Sequence, residues 1–114
     1  MLEDHKRVPC HRDFSARNWL YNRDKLFLID FEHSRPDFFL SDLERLWGLV
    51  FITKPVLKEA FFAAYKGLSD DEIEMLKRST ALWAMNTISW AYEHNDKVFE
   101  QVGRGVLRQL QKQG

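Results

Sequence analysis

The sequence predicts an α+β fold, mostly helical, in which a polar loop and a β-hairpin are followed by about four helices. Three observations carry that expectation. Two short runs rich in β-favouring residues, Trp19-Leu20-Tyr21 and Leu26-Phe27-Leu28-Ile29, flank Asn22-Arg23-Asp24-Lys25, the pattern of an antiparallel hairpin. From Ser41 onward, apolar residues recur at helical spacing. The chain has 114 residues with no repeat, low-complexity tract or linker, so residues 1–114 read as a single domain.

Residues 1–10 are polar and end in Val8-Pro9-Cys10, an entry segment that Pro9 keeps from being helical. The hairpin follows, then a loop containing Pro36. Ser41 with Glu44 three residues on is a capping-box signature, and Leu43, Leu46, Trp47 and Val50 form one helical stripe. Pro55 suits a first helical turn; Leu57, Ala60, Phe61 and Ala64 share a face, and Gly67 supplies a stop. Ser69 and Glu72 make a second capping box. It opens a long helix with apolar positions Ile73, Leu76, Leu82, Trp83 and Trp90, with a bend expected before His94-Asn95. A last helix from about Asp96 carries Val98, Phe99, Val102, Val106 and Leu110, and Gly103 and Gly105 each weaken it by roughly 1 kcal/mol relative to Ala.

Composition narrows the function classes. Lys+Arg and Asp+Glu number 17 each, so no bulk charge draws the chain to nucleic acid or to an anionic membrane. The longest apolar run, Leu46 to Ile52, is far below the ~20 residues of a membrane span. Met-Leu-Glu-Asp-His-Lys-Arg does not read as a signal peptide, so none is expected, and the single Cys10 excludes an intrachain disulfide. A cytoplasmic protein is the expectation.

The informative stretch is His11-Arg12-Asp13-Phe14-Ser15-Ala16-Arg17-Asn18, followed by Leu28-Ile29-Asp30-Phe31-Glu32. The spacing is H-x-D-x4-N with a second Asp twelve residues after the Asn. Asn18 opens the first predicted strand and Asp30 ends the second, so a hairpin makes them neighbours, with Asp13 one tight loop away. Amide and carboxylate oxygens side by side suit Mg²⁺, which keeps other positions for water and phosphate. A further carboxylate there is placed to accept a hydrogen bond from a hydroxyl. Metal-assisted phosphoryl transfer to a hydroxyl needs little more, because positioning and charge neutralisation do most of the work.

Cys10-His11-Arg12-Asp13, Asn18-Trp19-Leu20 and Leu28-Ile29-Asp30-Phe31-Glu32 resemble the aminoglycoside/choline phosphotransferase branch of the kinase-like fold. The resemblance is clear over residues 8–47. It implies a C-terminal catalytic lobe, ATP as co-substrate, Mg²⁺, and a small-molecule acceptor: an aminoglycoside, choline or a sugar-like alcohol. Residue by residue, it implies that Asp13 is the catalytic base and that Asn18 and Asp30 are metal ligands. His11 and Asp42 would support the catalytic loop, Asp42 by accepting backbone N–H bonds. Arg17 is a catalytic candidate that would orient phosphate or substrate, with a solvated surface role beside it, since the family often has small residues there.

His11 to Asn18 is also close to the loop of tyrosine-specific protein kinases. Against that reading, Asp30 is followed by Phe-Glu rather than Phe-Gly, and only twelve residues separate Asp30 from Asp42, leaving no room for an activation segment. The 5 Gly are scattered and give no phosphate loop. With Asp13 so early in the chain, the expectation is a catalytic lobe without its ATP-binding N-lobe, inactive alone, partnered by a missing N-lobe chain or by itself. The face from Val8 to His11 and the hairpin should then be abnormally apolar. The alternative class is a non-catalytic remnant that acts as a binding or assembly module.

Other candidates have plainer explanations. His5, His33 and His94 lack ligand spacing. Trp83 and Trp90 are expected in the core rather than stacking a substrate. Asp70, Asp71, Glu72 and Glu74 suit a helix start. Cys10 reads as a small buried hydrophobe.

Overall fold

The computed structural model describes residues 7–113; the remainder of the predicted entry segment, residues 1–6, lies outside the described residues with residue 114. The architecture is α+β, a small two-sheet β region followed by helices. Strand β1 (Arg7–Cys10) pairs antiparallel with β4 (Arg35–Phe38), and β2 (Trp19–Asn22) pairs with β3 (Lys25–Leu28). Helices α1 (Glu44–Leu46), α2 (Pro55–Tyr65), α3 (Asp70–Glu93) and α4 (Lys97–Gln113) follow.

The hairpin forms in the register Trp19↔Leu28 to Asn22↔Lys25. Its two turn residues, Arg23 and Asp24, both have positive φ (50° and 64°), the left-handed pair that a two-residue turn needs to match strand twist. The expected loop around Pro36 is instead a strand. Pro9 and Pro36 stand directly opposite each other, two residues without N–H groups sharing one position of the ladder.

The Ser41–Glu44 capping box does not form. A 3₁₀ turn over Phe39–Leu43 leads into α1 with no side-chain cap, and a π-helical turn, Trp47–Phe51, continues it. This irregular segment nevertheless holds most of the core: Leu40, Leu43, Leu46, Trp47 and Phe51 are buried with Leu76 of α3. Helix α2 begins at Pro55 as expected, but of its predicted stripe only Phe61 packs on the core. Leu57, Ala60 and Ala64 are exposed, and Phe61 and Phe62 meet the Phe51 ring at 5.3 and 5.7 Å.

The Ser69–Glu72 capping box is present in both directions, at 3.1 and 2.9 Å. Helix α3 then continues as a single element to Glu93. It stops in a Schellman turn: Asp96 N–H reaches Ala91 O (2.8 Å), Asn95 N–H reaches Tyr92 O (3.3 Å), and Asn95 takes φ 56°. Its buried residues are mostly small, Thr80, Ala84, Thr87 and Ala91 besides Leu76. Leu82 and Trp90, expected inside, are 60% and 49% exposed, and Trp90 stacks on His94. Size rather than apolarity selects the seam, because α4 approaches closely there: a Cβ at Gly103 would lie 2.8 Å from Ile88 Cγ1 and 2.9 Å from Ala84 O. Gly103 is therefore required by the packing rather than a weak point. At the start of α4, Asp96 caps the helix through Phe99 N–H (3.0 Å), and Val98 is exposed.

The apolar face expected from Val8 to His11 is not exposed, since Cys10 and His11 are buried. The hairpin does expose its apolar side chains, Leu20, Leu26, Phe27, Leu28 and Ile29. No helix among the described residues is long and apolar enough to cross a membrane.

Candidate active site

The loop between β1 and β2 is held from below by one carboxylate. Asp42 Oδ2 accepts the His11 N–H at 2.8 Å and Oδ1 accepts the Arg12 N–H at 2.7 Å. Both are charge-assisted bonds, and they fix Arg12 in a left-handed conformation (φ 72°) that a residue with a Cβ rarely adopts. The Arg12 guanidinium turns back to Asp37 of β4 at 3.3 Å.

His11 ties this loop to the end of the hairpin. Its Nδ1 accepts the Asp13 N–H (3.1 Å), which leaves the ring proton on Nε2 to donate to Ile29 O (2.7 Å). The ring lies against Phe31, with centroids 4.6 Å apart. A second link runs from Ile29 N–H to Asn18 O at 2.9 Å. The segment bearing Asp13 and Asn18 is thus bonded on both sides to the residue just before Asp30.

Asp13 is buried. Its main-chain oxygen accepts Asn18 Nδ2 (2.8 Å), and its carboxylate takes Arg17 Nη2 on both oxygens (3.0 and 2.8 Å) with Arg45 Nε 3.4 Å from Oδ1. Burial would raise the Asp13 carboxyl. The Arg17 hydrogen bonds, Asn18 and the charge of Arg45 outweigh it and hold the group below the usual carboxylate range. Arg17 is therefore not simply a solvated surface residue: it lies on the candidate base.

Asn18 is buried and Asp30 exposed, the latter in a left-handed conformation with φ 62°. Because Nδ2 of Asn18 is bonded to the Asp13 carbonyl, Oδ1 is the amide atom left for a cation. The Asp30 carboxylate makes no hydrogen bond or ion pair among the described residues. No group of three His, Cys, Asp or Glu side chains that could hold a metal occurs among the described residues. A donor set of one amide and one carboxylate oxygen fits Mg²⁺, a hard ion that binds few protein groups, and not a transition metal.

Beside the loop, a cavity of about 270 Å³ is lined by Arg12, Asp37, Ser41, Glu44, Arg45 and Trp83, among others. Burial pushes the Glu44 carboxyl up to about 7, against the lowering effects of a Ser79 hydrogen bond and of Arg45. Arg45, which sequence reasoning does not single out, joins the site three ways: its Nη1 donates to Arg12 O (3.1 Å), its Nε faces Asp13, and its guanidinium lies 5.8 Å from the Trp83 ring centre. The available signal is its offset from Asp42. Residues three apart share a helix face, so the helix start that braces the loop also aims Arg45 at it.

A clamped loop carrying one carboxylate is joined through Ile29 to a strand end that carries a second, the arrangement that the sequence expectation of phosphoryl transfer calls for. Comparison with family models gives the particular group. The model of the phosphotransferase enzyme family matches residues 1–76 of the 114, and the chain belongs to that family. No curated protein and no solved structure matches the chain significantly.

Proposed function

We propose that the chain carries the acceptor- and metal-holding part of an ATP-dependent phosphotransferase that moves the γ-phosphoryl group to a hydroxyl of a small molecule. Asp13 orients the acceptor hydroxyl and accepts its proton; its lowered basicity suits orientation more than early proton removal. Asn18 and Asp30 would hold Mg²⁺, which when bound neutralises phosphate charge. Asp42 and His11 hold the loop in place.

The observation that carries this reading is the His11 bridge. One imidazole accepts from the main chain of the candidate base and donates to the residue preceding the candidate metal ligand, so the distance between the two chemistries is set by a single rigid ring. The 5 glycines include no phosphate-cradling loop, so the part of the reaction assigned to these residues is the acceptor and metal side. Titrating the protein with Mg²⁺–ATP tests the reading, using Asp30→Ala as the control. Metal-dependent nucleotide binding that is lost in the variant supports it, and unchanged binding overturns it.

A further inference from the structure

Resting on the phosphotransferase reading above, we propose that Arg17 selects the acceptor, and that the hydroxyl received by Asp13 belongs to a molecule carrying an anionic group, carboxylate or phosphate, beside that hydroxyl. The argument begins with exposure. The Asp13 side chain is 10% exposed and the Arg17 side chain 71%, and one nitrogen of Arg17 contacts both Asp13 oxygens at 3.0 and 2.8 Å. The guanidinium therefore lies at the solvent side of the carboxylate, and a hydroxyl that reaches Asp13 arrives next to it.

Arg45 approaches the same carboxylate at 3.4 Å, and it is fixed there by the Arg12 carbonyl and by Trp83. It remains as the standing counter-charge of Asp13 when an acceptor docks. Arg17 has no such second anchor among the described residues. When a hydroxyl takes one of its places on Asp13, its charge is left short of a partner. At Asp13 itself two guanidiniums already face one carboxylate. An acceptor with an ammonium group would place a third cation there, whereas a carboxylate or phosphate matches the planar fork of Arg17.

The test uses the full chain and five three-carbon compounds that differ in one group: lactate, propane-1,2-diol 1-phosphate, propane-1,2-diol, 1-aminopropan-2-ol, and propionate, which lacks the hydroxyl. Binding is followed by calorimetry and by the Arg17 Nε signal in ¹H–¹⁵N spectra. The expected result is about tenfold tighter binding of lactate or of the phosphate ester than of the neutral diol, with the amino alcohol weakest. Whichever anion binds more tightly identifies the group. Arg17→Ala should level the series and Arg17→Lys should keep part of the preference; the exposure of the side chain makes both variants compatible with folding. A preference for the amino alcohol, or one that survives in Arg17→Ala, overturns the proposal. Propionate binding as tightly as lactate means an adventitious ion only, and also overturns it. Failure of all five compounds while Mg²⁺–ATP binding still depends on Asp30 sinks this proposal and leaves the phosphotransferase reading standing. A charge preference without any Asp30 dependence does the reverse.

Discussion

The imidazole of His11 donates to the carbonyl of Ile29 at 2.7 Å, across eighteen residues of sequence, while its other nitrogen accepts from Asp13. Replacing the ring by a phenyl keeps its bulk and removes both bonds. His11→Phe is expected to lower unfolding free energy by about 2 kcal/mol in a urea titration, roughly 1 for each lost bond. It should also weaken Mg²⁺ binding by about tenfold or more, as loss of an outer support does at other metal sites. Unaltered metal affinity would show that Asp30 is positioned without it.

Asp42 accepts two part-buried main-chain donors. Asp42→Ala strands both, and a loss of roughly 3–5 kcal/mol is expected; Asp42→Asn keeps one acceptor oxygen and should lose about half as much. Chemical denaturation of both variants at one pH checks the ratio. Equal losses would mean that the charge matters and the second hydrogen bond does not.

Glu44 gives a pH dependence of definite sign. Its carboxyl is raised from 4.5 to about 7 in the folded chain, so between those values the folded state holds a proton that the unfolded state has released. That contribution is complete at low pH and is lost as pH rises through 7. Because the group borders an open cavity, solvent screening reduces the effect to about 2 kcal/mol. Glu44→Gln should be as stable as the parent near pH 4 and more stable at pH 8. Parallel stability curves for the two proteins would refute the assignment.

Two glycines of α4 should respond in opposite directions. At Gly105 the nearest atom to an added Cβ is Arg108 Nη2 at 3.7 Å, so Gly105→Ala should raise stability by about 0.5–1 kcal/mol through helix propensity. At Gly103 the methyl would press on Ile88 and on the Ala84 carbonyl. Gly103→Ala should lose about 1–3 kcal/mol despite the same propensity gain. Thermal melts of the pair measure both.

The hairpin is legible in the sequence because two apolar runs around a short polar connection leave a single sensible register. That register sets Ile29, the residue before Asp30, against Asn18, as the Ile29–Asn18 bond shows. The pairing of β1 with β4 is not legible: it joins segments 28 residues apart and contains facing prolines, the residue least expected in a ladder. The α3–α4 seam is hidden for another reason. Patterns built on apolarity select Leu82 and Trp90, whereas close helix approach selects Thr80, Ala84, Thr87 and Ala91. At the site, the H-x-D-x4-N spacing locates the loop, but no local pattern shows that Arg45 joins Arg17 on Asp13, since that contact spans 32 residues.

Arg12 and Asp30 both hold left-handed backbones without being glycine, a conformation that disfavours a residue with a Cβ by about 1–2 kcal/mol. Heat challenge applied without a demand for chemistry therefore has a ready exit at each position: glycine relaxes the chain there and, at Asp30, deletes the carboxylate in the same step. A lineage bred only for robustness would go silent at the Asp30 codon first, and its survivors would melt later than their working ancestor.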